Sequence, residues 1–248
     1  MEILILEKLK SIEKEYDIEI LFAVESGSRA WGFPSEDSDY DIRFVYKHKA
    51  SWYLNLWEQK DTIQFMTHEN FDGVGWDLKK ALKLLSKSNA SFLEWLFSPI
   101  IYKVTPLFLE EMKSLATEFF NPISTYYHYH SMNKRYLENV NNGCFTIKQF
   151  FYALRTALCV KWVRLHNTIP PVFFNELLVL IPENLHGYLK DLILAKAKTN
   201  EKDSLKVVPL ELVDFLKETV SKNTTTNLKK AKSIDVNRFN HFFIKNVL

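Results

Sequence analysis

The sequence predicts an α+β protein, with an N-terminal unit of strands and helices at residues 1–105 and an all-helical unit at 106–248. Strand-like runs of β-branched and aromatic residues largely stop near residue 104, and Pro106 follows that change. Four of the six glycines precede residue 76. Beyond the proline, apolar residues recur at helical spacing almost to the C-terminus. No segment of roughly 20–50 residues repeats, so we do not expect a solenoid.

The first hundred residues alternate between helix and strand patterns. The predicted elements are an amphipathic helix at 2–15, strands at 17–25 and 40–46, a short helix at 51–57, and strands at 62–66 and 71–76. Asp77 has the position of an N-cap for the helix that follows, and Asn89 has the same position before a further helix.

The second unit carries only helical patterns. Helices are predicted at 107–120, 122–141, 146–166, 173–180, 183–198, 209–221 and 235–247. Asp235 is expected to cap the last of them.

Composition excludes several classes of protein. The chain of 248 residues is long enough to bury a core, and 47% hydrophobic with 25% charged residues is typical of a globular protein. A net charge of +2 gives no argument for nucleic-acid binding, and two cysteines make neither a disulfide framework nor a zinc site. The N-terminus lacks a signal-peptide pattern, and no apolar run approaches the roughly 20 residues of a membrane span. We expect a cytoplasmic protein without membrane contact, and its oligomeric state stays open.

Two short motifs carry the chemistry. Gly27 and Ser28 form a small turn after an apolar strand pattern, and glycine lets backbone N–H groups approach a phosphate. Ten residues later, Asp39 and Asp41 lead into the next strand pattern. Residues two apart on a strand point to the same face, so the two carboxylates would meet and would bind a hard divalent cation such as Mg²⁺. A solvated acidic loop is the alternative interpretation, and the order of strand, turn, spacing and acidic pair favours the site.

These motifs carry a resemblance to a known family. Gly27-Ser-Arg-Ala-Trp-Gly32 with the acidic pair resembles the DNA-polymerase-β-like nucleotidyltransferase superfamily. The chain is similar in particular to bacterial stand-alone predicted nucleotidyltransferases of the YcgL/RlaP type, some of which are associated with RNA repair. This closer similarity rests also on the segment 75–82 and on Asn89 with the segment 94–99. Beyond the first hundred residues it is confined to patches such as 152–155.

The resemblance implies a fold and a reaction. The fold is a mixed sheet with flanking helices. The reaction is the Mg²⁺-dependent, or Mn²⁺-dependent, transfer of a nucleoside monophosphate from an NTP to a hydroxyl acceptor, with release of pyrophosphate. Asp39 and Asp41 would bind the metal, and Gly27, Ser28 and the start of a short helix near Arg29 would bind the phosphates. For Arg29, a phosphate contact and a structural ion pair with neighbouring acidic residues remain equal alternatives.

A third carboxylate completes the metal site in this superfamily. The candidates are Asp72 and Asp77, which lie on opposite faces if residues 71–77 form one regular strand. The resemblance favours Asp72, because Asp77 has a competing role as a helix cap. Glu25, beside the turn, could also reach the site, although a glutamate at a strand end is more often solvated.

Several basic residues are candidates for further contacts. Lys80, at the start of a helix, could contact the triphosphate, and a solvated helical face is the alternative. In the helical unit, Lys148 and Arg155 are candidate contacts for the nucleotide or for an RNA acceptor. Alternatively, these two side chains only form a basic face of a helix and contact no substrate.

Two further functions stay open at this point. The expected substrates are an NTP of undetermined base and a hydroxyl acceptor, with an RNA end ahead of a protein side chain or a small molecule. One alternative is an antitoxin-like nucleotidyltransferase that modifies a partner protein. The other is a non-catalytic nucleotide-binding module on the same fold.

Overall fold

A mixed sheet organises the N-terminal part of the chain. The structure is a computed structural model that describes residues 1–138, 145–198, 205, 208–221, 225 and 227–248. Its strands are β1 Glu19–Glu25, β2 Tyr40–Lys47, β3 Thr62–Met66, β4 Phe71–Asp77 and β5 Ile101–Val104. Within the described residues they form one sheet of order β3-β4-β2-β1-β5. β2 and β4 are parallel and the other neighbours are antiparallel, so the predicted mixed sheet and α+β class are confirmed.

The helices follow the predicted order. They are α1 Glu2–Tyr16, α2 Gly27–Trp31, α3 Leu78–Ser86, α4 Ala90–Leu96, α5 Phe108–Glu118, α6 Pro122–Glu138, α7 Ile147–His166, α8 Phe174–Leu177, α9 His186–Lys196, α10 Leu210–Ser221 and α11 Val236–Val247. The short helix predicted at 51–57 is a 3₁₀ turn at Ala50–Leu54. The end of the predicted helix 122–141 lies outside the described residues. No helix in the described ranges has the length and apolar character needed to cross a bilayer.

Side-chain caps fix the starts of the three helices for which the sequence predicted them. The carboxylate of Asp77 accepts a hydrogen bond from the backbone N–H of Lys79 at 2.8 Å. Asn89 caps α4 and Asp235 caps α11 in the same way. Each cap satisfies a backbone donor that the helix cannot pair internally. These three predicted caps are confirmed.

The two faces of the sheet have different surroundings. Ile42, Phe44 and Tyr46 of β2 are fully buried and belong to a core with apolar residues of α1. Because side chains alternate along a strand, Asp41 and Arg43 of β2 point to the other face. The polar site described below therefore lies on the face opposite the α1 core.

The chain divides into two units. The first comprises residues 1–30, 39–119 and 232–248. In it, the ring of Phe108 in α5 lies 6.1 Å from the ring of Phe22 in β1 and 5.5 Å from that of Phe242 in α11. Helices α5 and α11 thus complete the hydrophobic core of the sheet unit.

The second unit comprises residues 31–38 and 120–231. Its long helices α6 and α7 pack together, and the segment 31–38 belongs to the same unit because Phe33 stacks on Phe151 and contacts Phe174. The predicted boundary near residue 105 does not coincide with this division. The catalytic and acceptor-binding roles assigned to the two predicted domains stay predictions.

Candidate active site

The turn after β1 lies directly against Asp41. The backbone N–H of Ser26 donates to the carbonyl of Asp41 at 2.9 Å, and α2 begins at Gly27, two residues before the expected Arg29. Gly27 has φ +60°, and a β-carbon there would lie 1.9 Å from Oδ2 of Asp41. Only glycine fits this position, because it tolerates the left-handed conformation and leaves room for the carboxylate.

Asp41 and Asp72 are neighbours across the parallel strands β2 and β4. They are directly paired in the register, so their side chains lie on the same face. The pairing of β2 with β4 thereby brings together Asp41 and Asp72, two of the three acidic residues that were predicted to bind the metal. The Asp41 carboxyl is partly buried; burial raises its pKa and the adjacent Arg43 opposes that rise.

Arg43 bridges these two carboxylates. Its Nη2 donates to Oδ1 of Asp41 at 2.7 Å and to Oδ2 of Asp72 at 3.0 Å. Arg43 was not among the site residues predicted from the sequence. The signal was present, because Arg43 follows Asp41 by two positions on a predicted strand and must share its face.

Asp39 lies just before β2 and is exposed. Its backbone carbonyl accepts a hydrogen bond from Nε of Arg29 at 3.1 Å, and the Arg29 guanidinium lies 3.9 Å from the centre of the Tyr40 ring. Ser28 is buried, with 4% of its surface exposed. The phosphate-binding roles of Ser28 and Arg29 stay predictions.

Glu25 is fully buried, so the solvated alternative for this residue is wrong. Its Oε1 accepts from the backbone N–H of Asp41 at 2.7 Å, and its Oε2 accepts from the Tyr102 hydroxyl. Burial raises the pKa of Glu25 to about 7, against the opposing effect of these hydrogen bonds. Glu25 thereby fixes the backbone at the start of β2 instead of facing water.

The two candidates for the third carboxylate occupy different places. Asp77 is buried, caps α3 and accepts a hydrogen bond from the Tyr53 hydroxyl at 2.7 Å. In the register it pairs with Tyr46, whereas Asp72 pairs with Asp41. The geometry therefore supports Asp72, and its role as a metal ligand stays a prediction.

Lys80 lies away from this carboxylate pair. Lys80 bonds to Asp61 at 2.8 Å and to Thr62 at 2.7 Å, and Thr62 pairs with Trp76 near the end of β4 remote from Asp72. Its role as a phosphate contact stays a prediction.

Arg155 is a buried residue of α7. It is 1% exposed, its guanidinium lies 4.3 Å from the centre of the Trp31 ring, and it donates to the carbonyl of Val172. Its contact with the nucleotide or an RNA acceptor stays a prediction. Lys148, near the start of α7, is partly exposed and lies 5.7 Å from the centre of the Tyr152 ring, so its contact with substrate stays a prediction.

The carboxylate pair fits a hard divalent cation. Asp41 and Asp72 offer oxygen ligands, and their side chains are 25% and 34% exposed, so an ion can reach them. In the described part of the chain, no three histidine, cysteine or acidic side chains form a metal-binding cluster. The positively charged guanidinium of Arg43 already bridges the carboxylates of Asp41 and Asp72.

A mixed sheet that joins a Gly-Ser turn to paired carboxylates defines a class, the polymerase-β-like nucleotidyltransferases. The chain belongs to the RlaP family, described as "RNA repair pathway DNA polymerase beta family", whose model matches residues 1–245. The resemblance stated from the sequence is thereby confirmed.

Individual proteins were also found to be similar. The chain is 43% identical over 203 residues to the "Uncharacterized protein YcgL" of Bacillus subtilis (strain 168), which covers 80% of this chain and 78% of that protein. A crystal structure of a nucleotidyltransferase-like protein from Exiguobacterium sibiricum 255-15 covers 86% of this chain and 73% of that one, at 12% identity and a TM-score of 0.30. A structural likeness at that level carries no argument here.

Proposed function

We propose that this protein is a Mg²⁺-dependent nucleotidyltransferase that moves a nucleoside monophosphate from an NTP to a hydroxyl acceptor. The observation that carries the proposal is the contact of the Gly27 turn with Asp41, whose neighbour across the sheet is Asp72. A phosphate-binding turn and a carboxylate pair are the two parts that such a transfer needs.

The turn would bind the triphosphate. Gly27 carries no side chain of its own, and we place the triphosphate at the N–H groups at the start of α2 and at Ser28, next to the Asp41 carboxylate. Arg29 is held beside this turn by its bond to the Asp39 carbonyl and by its contact with the Tyr40 ring. From that position its guanidinium would supply a charge-assisted contact to a phosphate oxygen.

The carboxylates of Asp39, Asp41 and Asp72 would hold Mg²⁺, or Mn²⁺. The bound ion supplies Lewis-acid chemistry that neutralises negative charge on the triphosphate and on the leaving pyrophosphate. Glu25 holds the backbone of Asp41 and thereby orients its carboxylate.

The reaction breaks a phosphoanhydride bond and forms a phosphoester bond. The acceptor hydroxyl oxygen forms a bond to the α-phosphorus of the NTP, and the bond between that phosphorus and the bridging oxygen breaks, which releases pyrophosphate. Asp72, the more exposed partner of the pair, would accept the proton of the hydroxyl.

An RNA end is the acceptor class that we propose. The description of the matching family as an RNA repair pathway family supports it. A protein acceptor and a non-catalytic nucleotide-binding module are the alternatives that the experiment must separate.

The experiment incubates the full chain with each α-³²P-labelled NTP, Mg²⁺ or Mn²⁺, and pooled tRNA or nicked RNA. We expect label to enter RNA from at least one NTP. The doubly substituted Asp39→Ala/Asp41→Ala protein should lose this transfer, because it lacks two carboxylates that bind the ion. Glu7→Gln, which alters an exposed carboxylate on α1, is the control and should retain it.

Each other outcome points to a different function. Label on a protein band would favour modification of a partner. NTP binding without transfer to any acceptor would favour the binding module, and transfer that persists in Asp39→Ala/Asp41→Ala would exclude the site described above.

A further inference from the structure

Arg43 contacts both candidate metal ligands but has no part in the reaction described above. Its Nη2 is shared between Asp41 and Asp72 at 2.7 and 3.0 Å. Its Nη1 donates to the backbone carbonyls of Ile42 at 3.2 Å and Asp72 at 2.6 Å. Two main-chain acceptors thus fix the orientation of the guanidinium, and the side chain is only 15% exposed.

Charge explains what this bridge does for the folded protein. Two neighbouring carboxylates repel each other, and in a partly buried position water screens that repulsion poorly. The guanidinium supplies one positive charge to the pair and a hydrogen bond to one oxygen of each carboxylate. Without it, the folded protein would hold two uncompensated negative charges at this place.

A divalent cation would compete with Arg43 for the same two carboxylates. An ion held by both carboxylates competes with Nη2 for oxygens of Asp41 and Asp72, and it is repelled by the guanidinium if Arg43 stays in place. Metal binding and the present position of Arg43 therefore oppose each other.

We propose that Arg43 is a built-in counter-ion, which holds Asp41 and Asp72 together in the metal-free protein and is displaced when a divalent cation binds. This inference rests on the metal site of the proposed function. It makes Arg43 a positioning residue that sets the affinity of the site for metal. An ordinary structural ion pair would behave differently, because its removal would leave the metal affinity unchanged or would lower it by disordering the ligands.

The test is a Mn²⁺ titration of the full chain without nucleotide, with free Mn²⁺ followed by electron paramagnetic resonance. Arg43→Gln should bind Mn²⁺ roughly tenfold more tightly than the unmodified protein, because a neighbouring charge changes the cation affinity of a carboxylate by about this factor or more. Arg43→Lys keeps the positive charge and should remain close to the unmodified protein.

Arg238→Gln is the matched control. It removes an arginine that is paired with a carboxylate, Glu118, in the same unit but away from the candidate ligands. Its Mn²⁺ affinity should not change. Equal tightening in Arg238→Gln and Arg43→Gln would indicate a general effect of net charge and would overturn the inference, as would unchanged or weaker binding in Arg43→Gln.

A measurement on the unmodified protein covers the case in which Arg43→Gln does not fold. The guanidinium ¹⁵N–¹H resonances of Arg43, assigned with the Arg43→Lys protein, should shift and broaden when Mg²⁺ is added, since Nη2 leaves the two carboxylates. Resonances that stay unchanged at saturating Mg²⁺ would contradict displacement.

Neither measurement uses an NTP or an acceptor, so this inference and the proposed function can fail separately. If Arg43→Gln binds Mn²⁺ more tightly and no transfer occurs with any acceptor, the counter-ion role stands and the proposed reaction falls. If the protein transfers nucleotides and the Arg43 substitutions leave Mn²⁺ affinity unchanged, the reaction stands and the counter-ion role falls.

Discussion

At Gly27 the backbone passes so close to Asp41 that any side chain would displace the carboxylate. We predict that Gly27→Ala lowers nucleotidyl transfer by roughly a hundredfold, because the added methyl group would displace the Asp41 carboxylate from its position. The left-handed backbone at this position should add about 1–2 kcal/mol of destabilisation. Transfer assays and thermal unfolding measure the two effects.

Gly187→Ala is the control for this substitution. Gly187 lies near the start of α9, and a β-carbon there meets no atom within 4 Å. Alanine at that position should leave transfer unchanged and preserve or slightly raise the melting temperature. Similar losses of transfer in the two proteins would refute the role of the turn.

The two candidates for the third carboxylate can be separated by the same conservative substitution. Asp72→Asn should reduce transfer by roughly a hundredfold, since it removes a negative charge beside Asp41. Asp77→Asn should retain transfer, because Asp77 is buried at the start of α3 and is bonded to Tyr53. Steady-state rates with a labelled NTP decide this, and the reverse order of effects would assign the third carboxylate to Asp77.

For individual residues, the sequence predicted which residue types form the site better than it predicted which residues they contact. Gly27 and Asp41 were predictable, because a turn and an acidic pair at a fixed spacing have a recognisable pattern. The burial of Glu25 was not, since it depends on a hydrogen bond from Tyr102, 77 residues further along the chain. The meeting of Asp41 with Asp72 likewise depends on a parallel strand pair that no local pattern reveals.

The start of α3 gives a prediction about pH. Burial raises the pKa of the Asp77 carboxyl in the folded protein, while its hydrogen bonds with Tyr53 and with the backbone oppose that rise. The folded state therefore holds the proton more tightly than the unfolded chain. The stabilisation from this difference is present at pH values below the pKa of the unfolded chain and is lost as pH rises through the folded pKa.

Asp77→Asn keeps an acceptor for the N–H of Lys79 and cannot ionise. We predict that its melting temperature rises relative to that of the unmodified protein as pH increases from about 4 to about 7. Thermal unfolding at a series of pH values measures this difference. Asp235→Asn, the same change at the exposed cap of α11, should show no comparable trend; a constant difference for Asp77→Asn would contradict the assignment.

Most elements were predictable from periodicity and caps, because both are local properties of the chain. The strand at 71–76 and the helix cap at Asp77 are examples. The sheet order is different, because β2 pairs directly with β4, whereas β3, which separates them in the sequence, lies at the edge of the sheet. That crossover creates the carboxylate pair, so the part of the fold that builds the site was the least visible in the sequence.

At the scale of the whole molecule, the sheet unit includes chain from beyond residue 105. Phe108 and Met112 of α5 and Phe242 of α11 are buried in it. We predict that a fragment of residues 1–105 does not unfold cooperatively, because it lacks these side chains and exposes Phe22. Circular dichroism during heating tests this, with the full chain as reference. A sharp transition in the fragment would favour the boundary predicted from the sequence.

The proposed function requires that the Gly27 turn and its carboxylates transfer a nucleotide. The most direct measurement is pyrophosphate released per nucleotide joined to RNA, in the presence of an NTP and Mg²⁺ or Mn²⁺. We predict equal amounts of pyrophosphate and joined nucleotide for the unmodified protein and for Glu7→Gln, and neither product for Asp41→Asn. Undiminished release and joining by Asp41→Asn would contradict the claim.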